Sequence, residues 1–173
     1  MSGDNWEMKK AFTLVEILIV VALLGILAAI ALPALKGNIR QAKEAAAKEN
    51  LRVLRNAIEL YAAQHNDFPP GYKNGTPDLL QTTVIRQLCW ATTIEGVYAP
   101  LGTAGYPLGP YLSAIPANPF NNKNTIRVLG AATQFPDPPT NTGTFGWIYK
   151  PSTKTIKLNY HGTDSEGVRY YDY

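Results

Sequence analysis

The stretch Lys9–Leu35, KKAFTLVEILIVVALLGILAAIALPAL, decides how the rest of the chain is read. From Phe12 to Leu35 the one ionisable side chain is Glu16. A run of that length supplies most of the roughly 20 apolar residues a helix needs to cross a bilayer. A carboxylate near mid-membrane costs roughly 2.5–3.5 kcal/mol, so Glu16 asks for a role. Unpaired and buried, it takes up a proton or finds a cation. Near the far end of the run stands Pro33, which removes one helical hydrogen bond and crowds the preceding turn.

On the N-terminal side, Met1–Ala11 is polar and carries Lys9 and Lys10, and it reads as a cytoplasmic leader. On the other side, beyond Pro33, the pattern changes from apolar all round to amphipathic. Ala47, Leu51, Leu54, Ile58 and Tyr61 recur at steps of three or four, the helical period. Arg40 with Glu44, Glu44 with Lys48, and Arg55 with Glu59 are spaced to support an exposed face as i,i+4 pairs. One helix is expected to run to about Gln64, with a weak point between Gly25 and Pro33, and to stop at Asn66, Asp67 and Pro69-Pro70-Gly71. The stripe is too short for the sustained heptads of a coiled-coil stalk.

Residues 67–173 hold 12 of the 13 prolines and 11 of the 14 glycines, which argues against long regular elements there. The pattern predicts a helix over Asp78–Thr92 with Leu80, Val84, Leu88 and Ala91 on one face. An ordered loop through YAPLGTAGYPLGPYLSAIPANPFNNKN follows. Strands are predicted at Thr125–Leu129, Phe145–Tyr149 and Thr155–Tyr160, the last two forming a hairpin around Lys150–Lys154. Gln134–Gly143 reads as a surface loop. The strands suit a small antiparallel sheet packed on the stem helix.

The 173 residues are enough for one domain plus an anchor. Charged residues make up 17%, below the roughly 25% usual for a soluble domain, and the apolar run explains much of the deficit. The net charge of +3 gives no reason to expect a nucleic-acid partner. The excess lies in Lys36–Gln64, with six Lys or Arg against three Glu. Cys89 is the single cysteine, so no intramolecular disulfide is available, and it reads as a small apolar packing residue.

KKAFTLVE resembles the class III signal of type IV pilins and type II secretion pseudopilins. Counted from Phe12 as first, Glu16 is fifth, Gly25 fourteenth and Pro33 twenty-second, all landmarks of that family. The resemblance is strongest from Met1 to Asn50. It implies cleavage between Ala11 and Phe12 by a prepilin peptidase, with methylation of the new amino terminus at Phe12. It implies an α+β, pilin-like fold: a leader at 1–11, a transmembrane and filament-core helix at 12–35, an amphipathic stem at 36–66 and a globular head at 67–173. The long helix packs on a small antiparallel sheet, and its segment between Gly25 and Pro33 unwinds on assembly. Two features depart from the family pattern. Ala11 stands where glycine is usual, and a disulfide found in many type IV pilins is absent, which favours the pseudopilin branch.

Glu16 has a physical reading of its own. After cleavage the ammonium of Phe12 lies one helical turn away and can pair with Glu16 within one chain, or with a neighbour's carboxylate in a staggered array. The resemblance implies the second, with Glu16, Gly25 and Pro33 as assembly residues. A tolerated anchor carboxylate that reaches the interface is the plainer account.

No catalytic motif stands out: there is no HExxH, GxSxG, Walker loop or CxxC pair, and the histidines are His65 and His161. No enzyme activity is expected. His161 near Asp164 reads as a surface-loop histidine, since nothing supplies further metal ligands. The last stretch, HGTDSEGVRYYDY, offers Asp164, Glu166 and Asp172. It resembles the calcium-binding C-terminal loop of major pseudopilins, which implies calcium as a cofactor with Asp164 and Asp172 as side-chain ligands. A solvated acidic tail is the other reading.

The expected function is therefore a structural subunit of a pilus-like filament, foremost a type II secretion pseudopilin that builds a periplasmic pseudopilus for protein export. The alternative within the class is a type IV pilin of a surface pilus for adhesion, twitching or DNA uptake. A signal-anchored exported enzyme or binding domain is the rival from another class. An ordinary signal peptide, with Ala29-Ile30-Ala31 as the small-x-small site, is the rival reading of the apolar run. Expected partners are further copies in the filament, minor pilins or pseudopilins, the prepilin peptidase and an inner-membrane assembly platform. The expected location is the inner membrane, single-pass, with the head in the periplasm or, once assembled, on the cell surface.

Overall fold

Helix α1, Leu14–Gln64, is the dominant element of the computed structural model, which describes residues 12–173 apart from the side chains of residues 30–36. The leader, Ala11 included, lies outside the described residues, as does the side chain of Pro33. The helix is unbroken through Gly25 and Pro33. It stops where the sequence stops it. Asn66 and Asp67 take positive φ (53° and 67°), and the Asp67 amide donates back to the Ala62 carbonyl at 2.9 Å. That bond satisfies an orphan carbonyl of the last turn, and Pro69-Pro70 prevents any continuation. Between Arg40 and Gln41 the chain divides into two compact units.

In the second unit, the stem stripe Ala47, Leu51, Leu54, Ile58 and Tyr61 is fully buried. It meets Trp147, Tyr149, Ile156 and Leu158 of the sheet, with Val84 and Leu88 alongside. Each Leu or Ile so buried contributes about 1.5–3 kcal/mol relative to exposure.

The main sheet has three strands in the order β5 (Ile126–Val128), β6 (Trp147–Lys150) and β7 (Thr155–Leu158). The β6–β7 hairpin is antiparallel, pairing Trp147 with Leu158 and Tyr149 with Ile156, and its turn is a 3₁₀ segment at Pro151–Thr153 closed by Lys154 in the left-handed region. β5 runs parallel to β6, pairing Ile126 with Trp147, so this sheet is mixed rather than wholly antiparallel. A parallel neighbour needs a crossover of a dozen or more residues, and residues 129–146 provide it. That crossover is held by side-chain amides. Asn121 Nδ2 donates to the carbonyls of Thr142 (2.6 Å) and Phe145 (3.0 Å), and Asn159 Nδ2 to those of Thr140 (3.0 Å) and Phe145 (2.9 Å). Gly146 re-enters the sheet so close to the chain that a Cβ there would lie 2.0 Å from the Lys123 carbonyl oxygen. The far face of the sheet carries a second small core of Leu129, Ile148 and Tyr171.

Short antiparallel pairs complete the head: β1 (Tyr72–Lys73) with β2 (Thr76–Pro77), and β3 (Ala91–Thr92) with β4 (Tyr98–Ala99). Helix α2 covers Gln81–Cys89, shorter at both ends than the Asp78–Thr92 expected. Leu80 is extended and 64% exposed, not on the buried face. Asp78 stays outside the helix, and its carboxylate accepts the Thr83 hydroxyl at 2.9 Å. At the other end, Ala91 and Thr92 leave the helix to pair with β4. Gln87, buried on α2, fastens the region by accepting the Gly71 amide and donating to the Tyr72 and Gly96 carbonyls, each at 2.7 Å. The single cysteine, Cys89, packs against the main core.

Candidate functional site

Two regions hold the residues singled out by sequence, one in each unit. In the first, Phe12 and Thr13 precede the helix and Phe12 is 80% exposed. Glu16 Oε2 accepts the Thr13 amide and the Thr13 hydroxyl, both at 2.9 Å, while the Glu16 amide donates to Thr13 Oγ1 at 3.2 Å. This is a capping box, which satisfies donors that the first helical turn leaves orphaned. Its sequence signal is Thr13-x-x-Glu16 followed by an apolar run, a pattern that reading Glu16 for its charge alone passes over. The box gives Glu16 local partners that lower the cost of keeping it among apolar residues.

From Leu14 to Leu27 every Leu, Ile and Val side chain is exposed. A contiguous apolar surface of this kind marks a membrane or protein contact. No helix among the described residues is long and apolar enough to cross a membrane. The described apolar side chains end at Ala29, and the sequence run continues to Leu35. A Cβ at Gly25 would have nothing within 4 Å, so no steric demand for glycine arises among the described residues.

In the second unit, the terminal stretch folds back as a tight turn. The Asp164 amide donates to the Val168 carbonyl at 2.8 Å, and Asp164 Oδ1 accepts the amides of Glu166 and Val168, both at 2.9 Å. Asp164 Oδ2 accepts the Tyr173 hydroxyl at 2.9 Å and faces the Lys48 ammonium at 3.4 Å. Asp164 is 4% exposed. Burial pulls its pKa upward, but the Tyr173 hydroxyl, the two amides and Lys48 outweigh it and hold the carboxyl below its ordinary range. The same hydroxyl is pushed up, first by burial and then by the carboxylate it serves.

Asp172 belongs to a different network. Its carboxylate accepts Arg169 Nε at 2.6 Å and faces Lys157 Nζ at 3.4 Å, and Arg169 also bridges to Asp137 at 2.9 Å. The Arg169 bond, chiefly, lowers the Asp172 pKa. The structure thus gives the two expected calcium ligands separate protein partners. Among the described residues no group of three or more His, Cys, Asp or Glu is placed to hold a metal ion. His161 is exposed, and Asp164 is engaged by Lys48 and Tyr173.

The stem charges also do other work than the i,i+4 spacing implied. Glu44 is buried and accepts the Tyr170 hydroxyl at 3.0 Å. Arg55 donates to the main-chain oxygen of Tyr173, and Glu59 faces Lys154 at 3.8 Å. His65, which no local pattern marked, is buried and stacks on Tyr61 with centroids 3.6 Å apart. Its Nδ1–H donates to the Tyr61 carbonyl at 2.7 Å, which leaves Nε2 to accept the Thr92 hydroxyl at 3.0 Å. Burial lowers its pKa.

Comparison with known proteins fits the N-terminal geometry. Residues 8–32 match the model of the prokaryotic N-terminal methylation motif. The type II secretion system core protein G of Vibrio cholerae is 30% identical over 118 residues, covering 67% of this chain and 70% of that protein. The chain belongs to the type II secretion system core protein G family. The Escherichia coli protein of the same name is 26% identical over 116 residues, again covering 67% of this chain and 70% of the relative. A second Escherichia coli protein, prepilin peptidase-dependent protein D, is 30% identical over 98 residues, 56% of this chain and 65% of its own length. No solved structure matches. Membership of this family agrees with the α+β fold of a long N-terminal helix and small sheets.

Proposed function

We propose that the chain is a pseudopilin, a structural subunit that polymerises into a periplasmic pseudopilus of a type II secretion system. One observation carries this reading: an apolar helix start, exposed along Leu14–Leu27, whose single carboxylate is held in place by Thr13. Such a surface needs a bilayer before assembly and neighbouring helices after it. Family membership supplies the setting.

In this reading, prepilin peptidase cuts between Ala11 and Phe12, and the new amino terminus at Phe12 is methylated. Residues 12–35 anchor the subunit in the inner membrane by a single pass, with the head in the periplasm. Glu16 then pairs with the Phe12 ammonium of a neighbouring copy, because in a low-dielectric environment each charge costs least beside the other. That pairing sets axial register, while Gly25 and Pro33 let the helix loosen as subunits pack. Other pseudopilins and an inner-membrane platform are the remaining partners.

The test is a deletion strain complemented with the wild-type chain. Loss of export of the strain's secreted proteins, restored by the complement, is the expected result. Intact export with loss of surface pili would assign the chain to a surface filament instead. Intact mass of the membrane form checks processing, since the mature chain should begin at Phe12.

A further inference from the structure

We infer that the terminal loop of this chain is latched to the stem helix by a protein cation, Lys48 on Asp164, and that its closure does not use calcium. The inference concerns the head and holds whichever filament the subunit builds.

Asp164 is the centre of the latch. A carboxylate offers about four acceptor sites. Here the amides of Glu166 and Val168, the Tyr173 hydroxyl and the Lys48 ammonium take them. The side chain is 1% exposed, whereas that of Lys48 is 53% exposed, so the cation reaches in from the stem surface to a carboxylate already withdrawn from water. Lys48 also lies over the Tyr173 ring, 4.5 Å from its centroid, so hydroxyl and ammonium approach Asp164 together. The grip continues along the stem, where Glu44 accepts Tyr170 and Arg55 donates to the Tyr173 main chain.

This donor set does not fit a calcium ion. Calcium takes six to eight hard oxygens. To bind at Asp164 it would have to expel the Lys48 ammonium, a like charge, and release Tyr173. The second expected ligand, Asp172, is already neutralised in the network of Arg169, Lys157 and Asp137, where two cations balance two carboxylates. The charge that a divalent ion would bring is thus already supplied by lysine and arginine.

The test uses the full chain in detergent, melted in millimolar calcium and in chelator. Coincident melting curves are expected, together with no heat of calcium binding by titration calorimetry. Lys48→Met should lower the melting temperature by roughly several degrees, and Lys48→Arg should restore most of it by keeping a cation. The double variant Lys48→Met with Asp164→Asn should fall little below either single variant, since both remove one interaction. A calcium-dependent rise in the melting temperature of the unsubstituted chain would overturn the inference. So would a Lys48→Met chain that melts like the wild type, or a Lys48→Arg chain no more stable than Lys48→Met.

Discussion

The Glu44 carboxylate accepts the Tyr170 hydroxyl at 3.0 Å across 126 residues of sequence, and Glu44 is 6% exposed. A stem carboxylate and a tyrosine of the terminal loop thus form a buried contact between the two ends of the second unit. Hydrogen bonds to charged groups are worth about 1.5–3 kcal/mol. Tyr170→Phe should therefore lower the unfolding free energy by about 1.5–3 kcal/mol. Chemical denaturation followed by tryptophan fluorescence measures it. A loss under about 0.5 kcal/mol would show that the contact contributes nothing beyond packing.

Gln87 offers a comparable test in the head. Its amide serves the Gly71 amide and the Tyr72 and Gly96 carbonyls, and the side chain is fully buried. Gln87→Met keeps length and apolar volume but removes all three bonds. Each buried group left unsatisfied costs about 1–3 kcal/mol, so this variant should lose more than Tyr170→Phe. The comparison is made on the same denaturation curves. Equal or smaller loss would mean that the strand pairs around Gly71 and Gly96 rearrange without cost.

Which of these relationships the sequence could reveal follows from their range. The stem stripe is a periodic pattern, and Ala47, Leu51, Leu54, Ile58 and Tyr61 are all fully buried as the period requires. The stop at Gln64 follows from local turn chemistry. The far end of α2 did not follow, because Ala91 has helical propensity that the pairing of β3 with β4 overrides. The parallel placement of β5 is invisible locally, since a proline-rich crossover leaves the hand of pairing open. Lys48 and Glu44 satisfy an i,i+4 rule on the stem, yet Lys48 also pairs with Asp164 and Glu44 with Tyr170, each more than a hundred residues away in sequence. Charge spacing along a helix cannot show which charges the tertiary fold will recruit.

Acid should act on the second unit in two separate windows. Burial, first, lowers the His65 pKa below its ordinary value near 6.5, against weaker upward effects of its backbone contacts and of Glu95. A base with a depressed folded pKa stabilises the fold fully above about pH 6.5, and that share is lost as pH falls from there through the folded value. Asp164 also titrates low in the folded state, so its share persists above its ordinary value near 3.9 and is lost only as pH falls further, through the lower folded value. Unfolding free energies measured from pH 8 to pH 3 should decline first below about 6.5 and steepen below about 4. His65→Gln should flatten the first decline and leave the second. A first decline unchanged in that variant would assign it to another group.

The last prediction concerns Glu16. Its carboxylate closes a box with Thr13 and lies far from the head in sequence, so changes there should leave the stability of the second unit unaltered. Two contributions can be separated by substitution. Glu16→Gln keeps an amide oxygen that can still accept from Thr13, so the helix start survives while the charge is lost. Glu16→Ala removes both, and the first turn loses its cap as well. If charge pairing with a neighbour's Phe12 ammonium drives assembly, both variants should lose filaments to a similar degree, because the dominant loss is an uncompensated ammonium in a low-dielectric environment. If the box matters more, Glu16→Gln should assemble nearly normally and Thr13→Ala should fail. Filament yield from overproducing cells, with membrane insertion of each variant checked by fractionation, decides between them. Normal yield from Glu16→Gln would sink the charge-pairing mechanism and leave the capping box as the function of Glu16.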